Sequence, residues 1–184
     1  MRKMPRFLEK LIKSSQKGHV SRQAGFTLIE LLVVIAILGV LAAALIATID
    51  PFEQIKKAND ANAKNTAAEF VNANIRYYAT HNALPWADPS ATSTCTSGGT
   101  TVSTLALTNT RVMACMGILV SENELKPGFT TVTQVLKNIT ASGNAGGVTA
   151  CFKPESKSGT SDPNTKYTIA GVSGCTTGCY WCAQ

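Results

Sequence analysis

A single carboxylate lies at the start of an otherwise uncharged stretch of the chain. Glu30 precedes nineteen residues, 31–49, that carry no charge. At about 1.5 Å of helical rise per residue, such a stretch spans roughly 28 Å, close to the ~30 Å hydrocarbon core of a membrane. A carboxylate within such a helix costs on the order of 3 kcal/mol on insertion scales. The pattern therefore predicts that Glu30 needs a partner.

The residues that lead into this stretch form an ungapped motif: Gly25, Phe26, Thr27, Leu28, Ile29 and Glu30. The motif resembles the N-terminal signature of the type IV prepilin and pseudopilin family. The resemblance implies that a membrane aspartyl protease, the prepilin peptidase, cleaves between Gly25 and Phe26 and methylates the new amino terminus of Phe26. It also implies that Glu30 neutralises the amino terminus of a neighbouring subunit when the helices bundle into a filament.

The resemblance further implies an α+β, pilin-like fold. A long N-terminal helix, membrane-spanning in its first half, packs by its second half on a small antiparallel β-sheet. Four segments are expected: a cleaved basic leader (1–25), a transmembrane or filament-core helix (26–49), its amphipathic continuation (50–81) and a loop-rich β head (82–184). The implied partners are the prepilin peptidase, other pilin or pseudopilin subunits, a membrane assembly platform and, before assembly, membrane lipid.

The basic residues are concentrated before the expected cleavage. Residues 1–25 contain seven Lys and Arg and one acid, Glu9, so their net charge is 7 − 1 = +6, the net charge of the whole chain. A basic flank beside a span is retained in the cytoplasm. This predicts a single-pass membrane protein with its amino terminus inside and its head outside. The resemblance implies that the membrane is the inner membrane and that the subunit then enters an extracellular or periplasmic filament. Because no aromatic residue beyond Phe7 interleaves these charges, no nucleic-acid partner is expected.

Two other interpretations of the apolar stretch remain open. An ordinary secretory signal peptide also has a basic start, an apolar core and small residues for cleavage, here at 42–44. Against it, Glu30 interrupts the apolar region, and apolar residues continue at 45–46 beyond that cleavage point. A plain membrane anchor with no role in assembly is the second alternative.

A second helix is predicted after the apolar stretch. Pro51 suits the first helical position, and Asp50 suits the cap before it. At helical spacing, apolar residues from Phe52 to about Thr80 form a face wide enough to dock on a sheet, with Asp60 among the polar residues on the opposite face. The predicted apolar face consists of Phe52, Ile55, Ala63, Ala67, Phe70, Val71, Ile75, Tyr77 and Tyr78.

The composition changes after this helix to Ser, Thr, Gly and Asn, with short strand-like runs between turn clusters. One run, 112–120, fits either a strand or a short helix. The predicted strands are the alternating run 101–107, a hairpin formed by 148–153 and 166–170, and a terminal strand at 179–182.

All six cysteines follow the apolar stretch, on the side of the chain that is predicted to be exported. An even number in an oxidising compartment favours structural disulfides, which stabilise a small polar domain. Six cysteines allow 15 pairings, and the sequence does not choose among them. The Cys-x-x-Cys pair at 179 and 182 leaves two alternatives open, a redox pair or half of a zinc site. The disulfide candidates are Cys95, Cys115, Cys151, Cys175, Cys179 and Cys182.

No pattern in the sequence indicates catalysis. The two histidines, His19 and His81, have no nucleophile signature around them. Glu122 and Glu124 lie close together in a predicted loop; calcium binding is one interpretation, and a solvated turn is the simpler one. We therefore predict no enzyme activity, no cofactor and no metal site.

The sequence thus predicts a structural subunit of a type IV pilus-like filament, processed by prepilin peptidase and polymerised through its N-terminal helix. Two alternatives are a type II secretion pseudopilin, which serves protein export, and a membrane-anchored binding module that does not polymerise.

Overall fold

A computed structural model describes residues 25–48 and 50–184. The predicted leader, including Glu9 and His19, lies outside the described residues apart from Gly25. Asp50–Gln184 forms one compact unit, which we call the C-terminal unit.

The first helix, α1, spans Leu28–Thr48. Its segment Leu28–Ile46 is long and apolar enough to cross a membrane, and within the described part of the chain it is the one helix with that property. None of this segment is buried. The apolar stretch is therefore a helix whose sides are not covered by protein.

The second helix, α2, spans Pro51–His81 and begins as the sequence predicts. The Asp50 carboxylate accepts hydrogen bonds from the backbone N–H groups of Phe52 (3.1 Å) and Glu53 (3.2 Å). At the other end, Asn82 adopts a left-handed conformation (φ 53°) and donates its N–H to the carbonyl of Tyr78 at 2.8 Å. Both ends of α2 are thus closed by local hydrogen bonds.

Five short strands form one antiparallel sheet in the order β1-β2-β3-β5-β4. Between the strands lie helix α4 (Thr110–Ser121), a 3₁₀ turn (Pro127–Thr131) and three single-turn helices, α3 (Ser93–Thr96), α5 (Thr133–Leu136) and α6 (Lys157–Thr160). Residues 112–120, for which the sequence allowed either a strand or a short helix, are therefore helical. The strands are β1 (Val102–Ala106), β2 (Ile139–Gly143), β3 (Val148–Phe152), β4 (Thr165–Tyr167) and β5 (Tyr180–Ala183).

Helix α2 packs on β3 and β5 and buries the core between helix and sheet. Ile139, Phe152 and Trp181 are direct cross-strand partners on β2, β3 and β5, so they lie on one face of the sheet. Phe70 and Tyr77 supply the largest buried side chains of the helix. This arrangement is the expected α+β, pilin-like fold.

The predicted hairpin between 148–153 and 166–170 is wrong. The terminal strand β5 lies between these two segments and pairs with both. β5 contains Trp181 and the buried Cys182, which suit a central position, whereas the three-residue β4 carries the exposed Lys166 and suits an edge. Strand β2 was not predicted at all.

The predicted apolar face of α2 is correct in part: Tyr77 and the predicted residues between 63 and 71 are buried, whereas Ile75 and Tyr78 are 51% and 37% exposed. Phe52 and Ile55 are 74% and 58% exposed, because burial of this helix begins at Asp60. Asp60 itself was predicted on the polar face, yet it is buried. Its carboxylate accepts hydrogen bonds from the N–H groups of Glu155 (2.9 Å) and Ser156 (3.0 Å) and from the Ser156 hydroxyl (2.6 Å).

All six cysteines form disulfides, as the sequence predicts, with the pairs Cys95–Cys115, Cys151–Cys182 and Cys175–Cys179. The first joins α3 to α4. The second joins directly opposed residues of β3 and β5. The third closes a loop of short sequence separation between β4 and β5.

We expect the disulfides to contribute unequally to stability. In the loop-entropy description, the sequence separation of 31 residues for Cys151–Cys182 corresponds to about 3.7 kcal/mol, and the separation of 4 for Cys175–Cys179 to about 1.9 kcal/mol. Replacing both members of each pair by Ser, with denaturant unfolding of the full chain in detergent, measures the two losses. Equal losses would show that loop closure does not govern their contribution.

Asp60→Ala is expected to destabilise the C-terminal unit by about 3 kcal/mol, because buried donors of the 155–156 segment lose their acceptor. Glu69→Ala, an exposed site on the same helix, is the matched control and should change the free energy of unfolding by less than about 0.5 kcal/mol. The same unfolding measurement applies to both variants. If Asp60→Ala behaved like the control, the carboxylate would not anchor the segment.

Candidate functional site

Glu30 has a hydrogen-bonding partner within its own chain. Its Oε2 accepts hydrogen bonds from the backbone N–H of Thr27 (2.9 Å) and from the Thr27 hydroxyl (2.7 Å). In return, the Glu30 N–H donates to the Thr27 hydroxyl oxygen at 3.3 Å. The Thr27 carbonyl accepts the first helical hydrogen bond, from the Leu31 N–H at 3.2 Å. These bonds form a capping box with Thr27 as the N-cap of α1.

Sequence reasoning missed the role of Thr27, although the signal was present. A Thr followed three residues later by Glu, just before an apolar run, is the pattern of a capping box. The carboxylate also lies in the first turn, where the helix dipole favours negative charge. Glu30 therefore has two features: it takes part in the N-terminal cap of α1, and it carries the only charge of that helix.

The predicted cleavage site lies immediately before this cap. Gly25, Phe26 and Thr27 are not helical, and all three are exposed. The Phe26 side chain is 81% exposed, and no described atom beyond Gly25 and its chain neighbours lies within 4 Å of the position that a Cβ on Gly25 would occupy. Nothing in the described part of the chain covers the bond between Gly25 and Phe26.

The side chains of α1 are apolar on every face of the helix after Glu30, and one face contains a group of small residues. Gly39, Ala42 and Ala43 are spaced i, i+3 and i+4, so they lie on a single face of the helix. A Cβ added to Gly39 would meet no atom within 4 Å apart from its chain neighbours and the adjoining backbone of α1 itself. This face permits the close approach of another helix.

The other candidates from the sequence do not converge on a site. Cys179 and Cys182 belong to different disulfides, so they form neither a redox pair nor a zinc half-site. Glu124 is bound by Arg76, whose Nε lies 2.7 Å from the carboxylate. Across residues 25–48 and 50–184, no three His, Cys, Asp or Glu side chains are grouped to hold a metal ion.

A polar cluster at the C-terminal end of α2 shifts the pKa values of Tyr77 and Asp88. The Tyr77 hydroxyl donates to the buried Asp88 carboxylate at 2.8 Å, and the His81 ring stacks on Tyr77. Burial, and then this hydrogen bond, raises the pKa of Tyr77. The Ser90 hydroxyl, which donates to Asp88 at 2.6 Å, is the main cause of a lowered Asp88 pKa. The two hydroxyl donors stabilise the charged form of the Asp88 carboxylate. Because Asp88 follows the helix and Tyr77 lies on it, the hydrogen bond between them fixes the segment after α2 to the helix.

Comparison with known protein families shows that residues 20–46 match the description "Prokaryotic N-terminal methylation motif". No curated protein and no solved structure matches the chain.

The match covers the cap, the predicted cleavage site and most of α1. It supports a type IV pilin-like or pseudopilin precursor and implies a structural subunit rather than an enzyme. In general terms it implies processing by a prepilin peptidase and assembly with other pilin subunits, and α1 fits a single-pass membrane anchor. The chain thus carries, before a pilin-like α+β structure, the N-terminal methylation motif that is the hallmark of the type IV pilin and pseudopilin family.

Proposed function

We propose that this chain is a structural subunit of a type IV pilus-like filament. It is made as a precursor in the inner membrane, with its amino terminus in the cytoplasm and its C-terminal unit outside. The observation that carries the proposal is the uncovered apolar surface of α1, which follows directly on the methylation motif.

The apolar surface of α1 needs two successive environments in this proposal. Lipid covers it in the precursor, and the helices of other subunits cover it in the filament. Since lipid is as apolar as the helix itself, the exchange is driven by close packing, which the face containing Gly39, Ala42 and Ala43 favours. Contacts of this kind run head to tail and do not close, so they generate a filament rather than a ring.

Cleavage between Gly25 and Phe26 creates an ammonium group one residue before the cap of α1. The Glu30 carboxylate already accepts the N–H of Thr27, the next residue along the chain. In the precursor, Glu30 is satisfied by its own capping box. In the filament, it also pairs with the ammonium of a neighbouring subunit, which offsets the burial of both charges.

The same features fit a type II secretion pseudopilin. The two assignments differ in where the filament forms: a pilus extends from the cell surface, whereas a pseudopilus remains in the periplasm. Immunogold labelling of the C-terminal unit on intact cells that assemble the filament discriminates between them.

The mature protein is expected to begin at Phe26 and to carry a methyl group on its α-amine. Intact-mass and N-terminal peptide mass spectrometry of membranes from cells with prepilin peptidase would measure both. Cells without the peptidase are the control and should retain residues 1–25. A mature chain that begins at Leu45 would instead establish a secreted protein.

Glu30→Gln separates the charge of Glu30 from its capping role. A glutamine oxygen can still accept the Thr27 N–H, so membrane insertion should be unchanged. Filament incorporation should fall at least tenfold, because the neighbouring ammonium loses its counter-charge. The matched variant Thr27→Val removes the hydroxyl but keeps the charge, and should reduce incorporation far less. Sheared filaments, quantified by immunoblot against total membrane protein, give the readout; wild-type levels of Glu30→Gln filaments would contradict the pairing.

A further inference from the structure

The first two turns of α2 carry apolar side chains that the C-terminal unit does not cover. Phe52 is 74% exposed and Ile55 is 58% exposed, whereas the helix is buried on one side from Asp60 onwards. The exposed pair is spaced i and i+3, so both side chains lie on neighbouring parts of the helix surface. Residues 51–59 therefore present an apolar strip that needs a partner.

Positive charges accompany this strip. Lys56 and Lys57 are exposed on the same two turns. The next turn, with Asn59 and Asp60, forms one wall of an open cleft of about 520 Å³ that Lys137 and Lys153 also line. The two ion pairs among the described residues are Lys64–Asp162 and Arg76–Glu124, so none of these four lysines is in an ion pair.

The acidic residues of the same region are bound to backbone donors of the protein itself. Asp50 caps α2, and Glu53 accepts the Lys157 N–H at 2.6 Å. Asp60 is buried and accepts three hydrogen bonds from residues 155–156. Glu155 is the exposed carboxylate in the lining of the cleft. These hydrogen bonds hold the Glu53 and Asp60 carboxylates against residues 155–157, whereas the exposed Lys56 and Lys57 have no ion-pair partner among the described residues.

The chain holds this strip close to the end of the candidate span. Phe52 is six residues beyond Ile46, the last residue of the candidate span, so even a fully extended connection separates them by at most roughly 21 Å. The headgroup layer of a bilayer begins where the hydrocarbon core ends and is roughly 5–8 Å thick on each side. Residues 51–59 are thus within reach of lipid headgroups whenever α1 spans the membrane.

We propose that residues 51–59 bind the headgroup layer of an anionic phospholipid leaflet before the subunit is assembled. Phe52 and Ile55 enter the boundary between headgroups and acyl chains, and Lys56 and Lys57 contact phosphates, as in interfacial amphipathic segments. Lys137 and Lys153 add positive charge beside the same helix. The short connection between this strip and the candidate span favours lipid over a second copy as the occupant. The inference rests on the membrane anchoring in the proposed function.

The test uses the full unprocessed chain reconstituted into vesicles that contain brominated phosphatidylcholine. Phe52→Trp places a fluorescent reporter in the strip, and the parent chain supplies the background from Trp86 and Trp181. Replacing 30% of the lipid by phosphatidylglycerol is expected to increase the quenching of the reporter at least twofold. Adding Lys56→Gln and Lys57→Gln should abolish that increase.

Two controls isolate the effect. Ile75→Trp places the reporter at another exposed apolar site of the same helix, 51% exposed and 23 residues further along, and should not respond to the anionic lipid. Lys126→Gln removes an exposed lysine outside the strip and should leave the response at residue 52 unchanged.

Equal quenching at residue 52 in both vesicle types, or an increase that survives the double lysine replacement, would overturn the proposal. Protection of residue 52 that rises with the number of chains per vesicle would overturn it in favour of a second copy. Carbonate extraction first establishes whether α1 is inserted. Failure to insert would refute the anchoring itself and this inference with it, whereas insertion without quenching would refute the lipid contact alone.

Discussion

The structure depends on one constraint: α1 is an apolar helix, and none of its candidate span, Leu28–Ile46, is buried. Water is an unfavourable environment for such a surface, so the helix requires lipid or other helices. Its one charge, on Glu30, is held by the Thr27 capping box and starts the helix at the boundary of the apolar region. Membrane anchoring and the proposed assembly are two ways of meeting this single requirement.

The C-terminal unit is under a different constraint: its apolar core is small and is divided among short strands. Helix α2 supplies one side of that core through Phe70 and Tyr77, and its polar side chains fix the chain around it. Asp60 binds the 155–156 segment, and Lys64 pairs with Asp162 at 2.7 Å. Two of the disulfides, Cys95–Cys115 and Cys151–Cys182, are themselves buried between paired elements, and the third closes the loop before β5. Buried acceptors and covalent bonds thus supplement the small apolar core.

The errors of the sequence reasoning have a common physical origin. The register of apolar residues on α2 was correct, yet Phe52 and Ile55 are exposed because the sheet does not extend to the first turns of the helix. Asp60 was placed among solvated residues because its partners lie 95 residues further along the chain. The hairpin was assigned to successive strands, although β5 enters between them. Each error concerns which segment, distant in the sequence, packs against a given part of the structure.

The sequence alone determined what depends on neighbouring residues. The helical apolar stretch, the capping of α2 by Asp50 and Pro51, the motif around Glu30 and the oxidised state of the cysteines all follow from local chemistry. Only the tertiary structure decided the order of the strands, the choice among 15 disulfide pairings, the burial of Asp60 and the exposure of the strip at residues 51–59. These features depend on contacts between segments far apart in the chain, and many such arrangements satisfy the same local patterns.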